Sequence, residues 1–82
     1  MNTIQKIYLT FPKGKVTEPV ICKMYDAVKV RFNIRSASVN DYVGIMAIEL
    51  EADNREKINE AIAFFRSNGL TVDPIEMDVI SG

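Results

Sequence analysis

Residues 32–51, FNIRSASVNDYVGIMAIELE, decide the fold because they hold two strand patterns joined by a short turn. Residues 32–39 show a blurred apolar alternation that favours a strand, and residues 42–51 show a clearer one. Asn40 and Asp41 both tolerate left-handed backbone angles, which favours a tight turn between the strands. The later strand carries apolar side chains on both of its faces: Val43, Ile45 and Ala47 on one, and Met46, Ile48 and Leu50 on the other.

The chain before this hairpin predicts a strand followed by a helix. Residues 4–11, IQKIYLTF, alternate in the strand period and place Ile7, Leu9 and Phe11 on one face. Thr17-Glu18-Pro19 has the cap, acidic residue and early proline that begin a helix, which we expect to run to about Val28. Its apolar stripe would consist of Val20, Met24, Ala27 and Val28.

The chain after the hairpin predicts a second helix and a last strand. Either Asp53 or Asn54 is expected to cap the helix, and Gly69 is suited to the left-handed position that ends it. The last strand is expected over residues 70–80, with Pro74 at a bulge or on an edge strand. The apolar stripe of this second helix would consist of Ile58, Ala61, Ile62 and Phe65.

The predicted element order, βαββαβ, indicates an α+β fold of the ferredoxin-like type. We expect a four-stranded antiparallel sheet with two helices on one face, formed by residues 1–82 as a single domain. Two helices cover one face only, so the other face or an edge is expected to meet a second copy or a partner. The alternative is that Met46 and Ile48 are scattered surface residues, which are common.

Composition excludes several function classes. Ten basic and 11 acidic residues give a net charge of −1, which does not favour nucleic acid, and no stretch is apolar enough for membrane insertion. No histidine is present and Cys22 is the only cysteine, so common catalytic pairs and cysteine metal sites are absent. The alternating Glu49 and Glu51 are typical of a solvated strand face. We expect a cytoplasmic protein without a cofactor that is not an enzyme.

Four segments, taken in order and spacing, carry a resemblance to a known family. They are Leu9-Thr10-Phe11 with Pro19-Val20-Ile21, then Asn33-Ile34-Arg35-Ser36-Ala37-Ser38-Val39, then Gly44-Ile45-Met46, and finally Ala61-Ile62-Ala63-Phe64-Phe65 with Gly69-Leu70-Thr71-Val72. Over about residues 4–79 the chain resembles the NIL domain, the ferredoxin-like regulatory domain at the C-terminus of methionine-importer ABC ATPases and beside ferredoxin modules.

The resemblance implies a homodimer that binds a small amino acid such as methionine and regulates methionine transport or sulfur metabolism. The ligand segment of the family maps onto Asn33, Ile34, Ser36 and Ala37. An Asn amide beside strand backbone offers donors and acceptors to a zwitterion, and Ile34 or Met46 could line an apolar slot for the thioether. An ABC transporter or a ferredoxin-type protein is the partner that the resemblance implies.

Arg35 stands where the motif that names the family has leucine. Its guanidinium either pairs with the carboxylate of a ligand or points to solvent. Since no ATPase or iron–sulfur motif accompanies the domain, the chain is either a free-standing protein that acts on a partner or a fragment. Two other functions stay open, an interaction or assembly module without ligand and a small dimeric α+β enzyme.

Overall fold

The computed structural model describes residues 2–14, 19–40 and 42–75. The elements follow the predicted order: β1 (Thr3–Phe11), α1 (Val20–Val28), β2 (Arg31–Val39), β3 (Gly44–Ala52), α2 (Arg55–Ser67) and β4 (Thr71–Pro74). The expected helix start at Thr17-Glu18, the turn residue Asp41 and the last strand beyond residue 75 lie outside the described residues.

The four strands form one antiparallel sheet in the order β2-β3-β1-β4. Thr3–Phe11 of β1 pairs along its whole length with Ala52–Gly44 of β3, and β2 continues the sheet on the far side of β3. Because β2 and β4 each pair with one neighbour, they are the two edges of the sheet. This arrangement confirms the ferredoxin-like fold, and the edge position predicted for Pro74 is also correct.

The core lies between the helices and one face of the sheet. The structure shows which side chains of β1 and β3 face the helices: Ile7, Leu9, Ile48 and Leu50 are fully buried. The interpretation of Ile48 as a surface residue is therefore wrong. The helices contribute buried side chains at helical spacing: Val20, Met24 and Val28 from α1, and Ile58, Ala61, Ile62 and Phe65 from α2.

One expected core position is instead exposed. Ala27 was predicted to belong to the stripe of α1, but it faces solvent, and Ile21 packs partly against the core. The 100° step between helical residues puts positions 20, 24 and 28 on one line, and residue 27 falls at the edge of that line. The buried stripe of α1 is consequently narrower than the sequence pattern predicted.

Both helices end where local geometry prevents a further turn. Lys29 adopts the left-handed conformation (φ 62°) after α1 and donates its N–H to the carbonyl of Tyr25. Gly69 adopts φ 86° after α2, as predicted, and donates to the carbonyl of Arg66. Asn54, the second of the two predicted caps, begins α2 by accepting a hydrogen bond from the N–H of Lys57.

Candidate functional site

Strand β2 presents the ligand segment at an open edge of the sheet. Asn33 through Val39 are all exposed, and no described side chain hydrogen-bonds to their backbone. The pairing with β3 shifts between Ile34 and Ser36, so that Arg35 has no direct opposite residue. This β-bulge changes which side chains share a face, because one extra residue reverses the alternation along the strand.

The bulge separates the predicted site residues onto two faces. Asn33 lies opposite Glu49 and Ser36 opposite Ala47, which places both on the face away from the helices. Ile34 lies opposite the buried Ile48, so it points to the helix side. Arg35 contacts Glu49 and therefore belongs to the face away from the helices. Ala37 and the half-buried Met46 are paired with each other and lie on the helix side. The structure therefore does not bring the six residues into one pocket.

The face away from the helices, here called the open face, has a shallow depression around Asn33. Its volume is about 110 Å³, and it lies beside charges of both signs. One of these, Glu51, accepts a hydrogen bond from the Asn2 amide at 2.7 Å. The lining residues are Ile4, Arg31, Phe32, Asn33, Glu49 and Glu51.

A row of charges crosses the open face next to this depression. Glu49 lies between two cations, with Lys6 Nζ at 3.9 Å from Oε2 and Arg35 Nη1 at 3.7 Å from Oε1. Both distances are long, and the partners are partly exposed, so each ion pair contributes at most about 1 kcal/mol. The depression therefore offers carboxylates to a cation and, through Arg31, a guanidinium to an anion.

The apolar part of the open face is divided into two by this charged row. On one side lie Tyr8 and Ile45, which are 47% and 45% exposed, together with the half-buried Ala47. Ile4 lies on the other side and is 55% exposed. The apolar surface expected on this face exists, but it is a small patch bordered by charge.

Sequence reasoning missed Arg31, Glu49 and Glu51 as residues of this site. The two glutamates alternate along β3, which is also the pattern of an ordinary solvated strand. The signal that could have identified them is the pairing register, since Asn33 lies opposite Glu49 and Arg31 opposite Glu51. Register depends on contacts between strands and cannot be obtained from the spacing within one strand.

The described residues contain neither a metal-binding cluster nor a membrane-spanning helix. No group of three potential ligands lies close enough to hold a metal ion in residues 2–14, 19–40 and 42–75. Within the same ranges, neither α1 nor α2 has the length and apolar character needed to cross a bilayer.

Comparison with known proteins identifies a family and a shared fold. The family model described as the NIL domain matches residues 5–74. Among curated proteins, none matches the chain. A solved structure with a similar fold is the C-terminal domain of an ABC transporter ATP-binding protein from Enterococcus faecalis, with a TM-score of 0.74 and 18% identity over 90% of this chain and 86% of that one.

Two further structures share the fold at lower similarity. The periplasmic divalent cation tolerance protein CutA from Archaeoglobus fulgidus has a TM-score of 0.52 and 15% identity, over 94% of this chain and 86% of that one. The de novo designed protein Foldit4 has a TM-score of 0.59 and 10% identity, over 94% of this chain and 99% of that one. At these identities the likeness concerns the fold alone.

Proposed function

The chain belongs to the NIL domain family, and we propose that it is a regulatory domain that pairs with a second copy and binds a small amino acid such as methionine. The family assignment over residues 5–74 is the observation that carries this proposal. The fold shared with the C-terminal domain of an ABC transporter ATP-binding protein supports a link to a transporter. A ferredoxin-type protein is the other partner that the family suggests.

Strand β2 is the proposed pairing edge. It is nine residues long, and its outer backbone groups have no hydrogen-bond partner among the described residues. At the opposite edge, β4 is described over four residues, its Pro74 has no N–H, and the Val72 carbonyl already accepts from Arg66 Nη2 at 3.1 Å. Among the described residues, a strand from a second copy therefore finds more free donors and acceptors on β2 than on β4.

Exposed apolar side chains beside β2 support the same choice. Val39 and Ile34 lie on the helix side of β2 but are 56% and 49% exposed, because the helices do not extend over this edge. Pairing of two β2 strands would bring Ile34 and Val39 of each copy towards the other copy. At about 25 cal/mol per Å² of apolar surface, this burial would add to the backbone hydrogen bonds.

The depression around Asn33 is the proposed site for the charged end of the amino acid. Glu49 or Glu51 would accept from the ligand ammonium, and Arg31 and the Asn33 amide would donate to its carboxylate. At about 110 Å³ the depression is smaller than the 300 Å³ or more that encloses a typical small ligand. A second copy next to β2 would supply the missing wall, so ligand binding and pairing are expected to depend on each other.

Thermal unfolding with and without L-methionine tests this proposal. Methionine at ten times its dissociation constant should stabilise the folded protein by about 1.4 kcal/mol and raise its Tm by roughly 5–10 °C. Asn33→Ala should remove most of this shift, since it deletes an amide donor and acceptor from the depression. The matched control is Asn59→Ala on α2, an exposed amide on the helix layer that should leave the shift unchanged.

A wild-type protein that shows neither a Tm shift nor heat in calorimetry at millimolar methionine would refute amino-acid sensing. A specific observation would then favour an assembly module without ligand. Arg35 replaces the leucine of the family motif and pairs with Glu49, which makes the region beside the depression more charged than an apolar side-chain slot requires. In that case dimerisation should persist without any effect of methionine.

A further inference from the structure

A second concave surface lies on the other side of the molecule, between α2 and the β1–β4 edge. This cleft, here called the α2 groove, has a volume of about 430 Å³. Its residues on α2 recur every three or four positions, so they form one stripe that faces the end of β4. The groove is lined by Gln5, Arg55, Asn59, Ile62, Ala63, Arg66 and Pro74.

Both arginines of the α2 groove are held in place by neutral acceptors. Arg55 Nη1 donates to Gln5 Oε1 at 3.0 Å, and Arg66 Nη2 donates to the Val72 carbonyl at 3.1 Å. Gln5 is itself fixed, because its Nε2 donates to the carbonyls of Lys6 and Ile75. A guanidinium has five N–H donors, so each arginine keeps further donors for a ligand.

Among residues 2–14, 19–40 and 42–75, no nearby carboxylate balances the charge of the α2 groove. Within the described part of the chain, no acidic residue lines it and neither arginine forms an ion pair. Glu60, on a neighbouring stripe of α2, is already paired with Lys57 at 3.7 Å. The described residues of the groove therefore form a local positive surface on a chain whose net charge is −1.

The separation of the two arginines indicates the shape of the occupant. Eleven helical residues at 1.5 Å each place their Cα atoms about 16 Å apart along α2. A small anion would reach one exposed guanidinium only, which is worth at most about 1 kcal/mol. An extended peptide rises about 3.3 Å per residue and turns every second side chain to the same face, so two acidic side chains about four positions apart, roughly 13 Å, would both face α2 and reach the two arginines.

We propose that the α2 groove binds an extended acidic peptide segment of a partner protein, with one carboxylate at Arg55 and another at Arg66. Asn59, whose amide forms no hydrogen bond among the described residues, lies between them and would pair with the peptide backbone. Ile62, Ala63 and Pro74 would contact the intervening side chains. This surface lies away from the Asn33 depression, so the proposal does not depend on methionine binding.

Titration of the ¹⁵N-labelled full chain with synthetic peptides tests the proposal by NMR. The probe has two glutamates separated by three neutral residues, and the comparison peptide has them separated by one, so that both pairs lie on one face of the extended peptide. We expect amide shifts at residues 55, 59 and 66, and binding at least several times tighter for the longer spacing. Arg55→Gln or Arg66→Gln should each weaken binding about two- to fivefold, because each removes one exposed ion pair.

Controls separate the groove from general charge effects and from misfolding. Lys13→Gln removes the same unit charge from a distant loop and should leave peptide affinity unchanged. Asn59→Asp keeps both arginine contacts but adds a negative charge in the middle of the groove, so it should weaken binding. Equal binding of both peptides, equal binding of free glutarate, shifts confined to the Asn33 depression or no shifts at millimolar peptide would each overturn the proposal.

Discussion

Asn54 sets the beginning of α2 through one hydrogen bond, in which its Oδ1 accepts from the N–H of Lys57 at 2.9 Å. Two adjacent residues, Asp53 and Asn54, were equally suitable caps by type, because both carry a side-chain acceptor. The backbone angles of Asn54, φ −151° and ψ 168°, are extended as a cap requires. The choice between neighbours depends on where the chain leaves β3, which the residue types do not specify.

Replacement of Asn54 by alanine should lower the free energy of unfolding by about 1 kcal/mol, because the first turn of α2 loses its cap. Asp53→Ala is the matched control and should change stability by less than about 0.5 kcal/mol. Urea denaturation followed by circular dichroism measures both values. A larger loss of stability for Asp53→Ala than for Asn54→Ala would show that Asn54 is not the residue that caps α2.

At the scale of elements, the β2 edge differs most from the sequence pattern. Its alternation was blurred in the sequence, and the structure gives the reason, a bulge at Arg35 in the middle of the strand. The bulge changes the face on which later residues point and interrupts an otherwise regular edge. Beyond the bulge, Ser36, Ala37, Ser38 and Val39 form a neutral edge of small and apolar side chains that suits strand pairing.

A charge at this edge should prevent the proposed pairing. In a two-fold antiparallel pair, Ser38→Lys would bring two like charges close together across the new strand contact. The matched control is Thr71→Lys on β4, which lies in the same row of the sheet and is also exposed, but at the opposite edge. Sedimentation velocity should show a monomer for the first variant and a dimer for the second; the reverse result would move the interface to β4.

At the scale of the whole molecule, the described residues form one small core, and they leave the open face of the sheet uncovered and the β2 edge unpaired. The core uses one sheet face, while the open face carries a divided apolar patch and a charged row. A domain of this size buries roughly 60–65% of its unfolded surface, which leaves modest stability. Burial of the β2 edge against a second copy would therefore add a noticeable fraction to the domain's free energy of unfolding.

Such a dimer should make the Tm depend on protein concentration. A hundredfold dilution within the dimeric range should lower stability by about 1.4 kcal/mol per protomer and Tm by roughly 5–10 °C. Scanning fluorimetry over that range, with Ser38→Lys as the monomeric reference, measures the effect. A wild-type Tm that stays constant on dilution and equals that of the reference would contradict pairing.

The element order, the buried face of β1, the stripe of α2 and the left-handed Gly69 all follow from the sequence alone, whereas the buried face of β3 does not, because that strand is apolar on both faces. Each depends on interactions within a few residues, so periodicity and residue type are sufficient to predict it. The resemblance that identified the family also came from short local segments, and the match over residues 5–74 confirmed it.

Only the tertiary structure decided which side chains meet. The bulge at Arg35 places Asn33 and Ser36 on one face and Ile34 and Ala37 on the other, and the register places Glu49 beside Arg35. In the same way, Gln5 meets Arg55 across 50 positions of the chain. Contacts of this kind depend on how strands and helices align in space, and the spacing within a single segment does not encode that alignment.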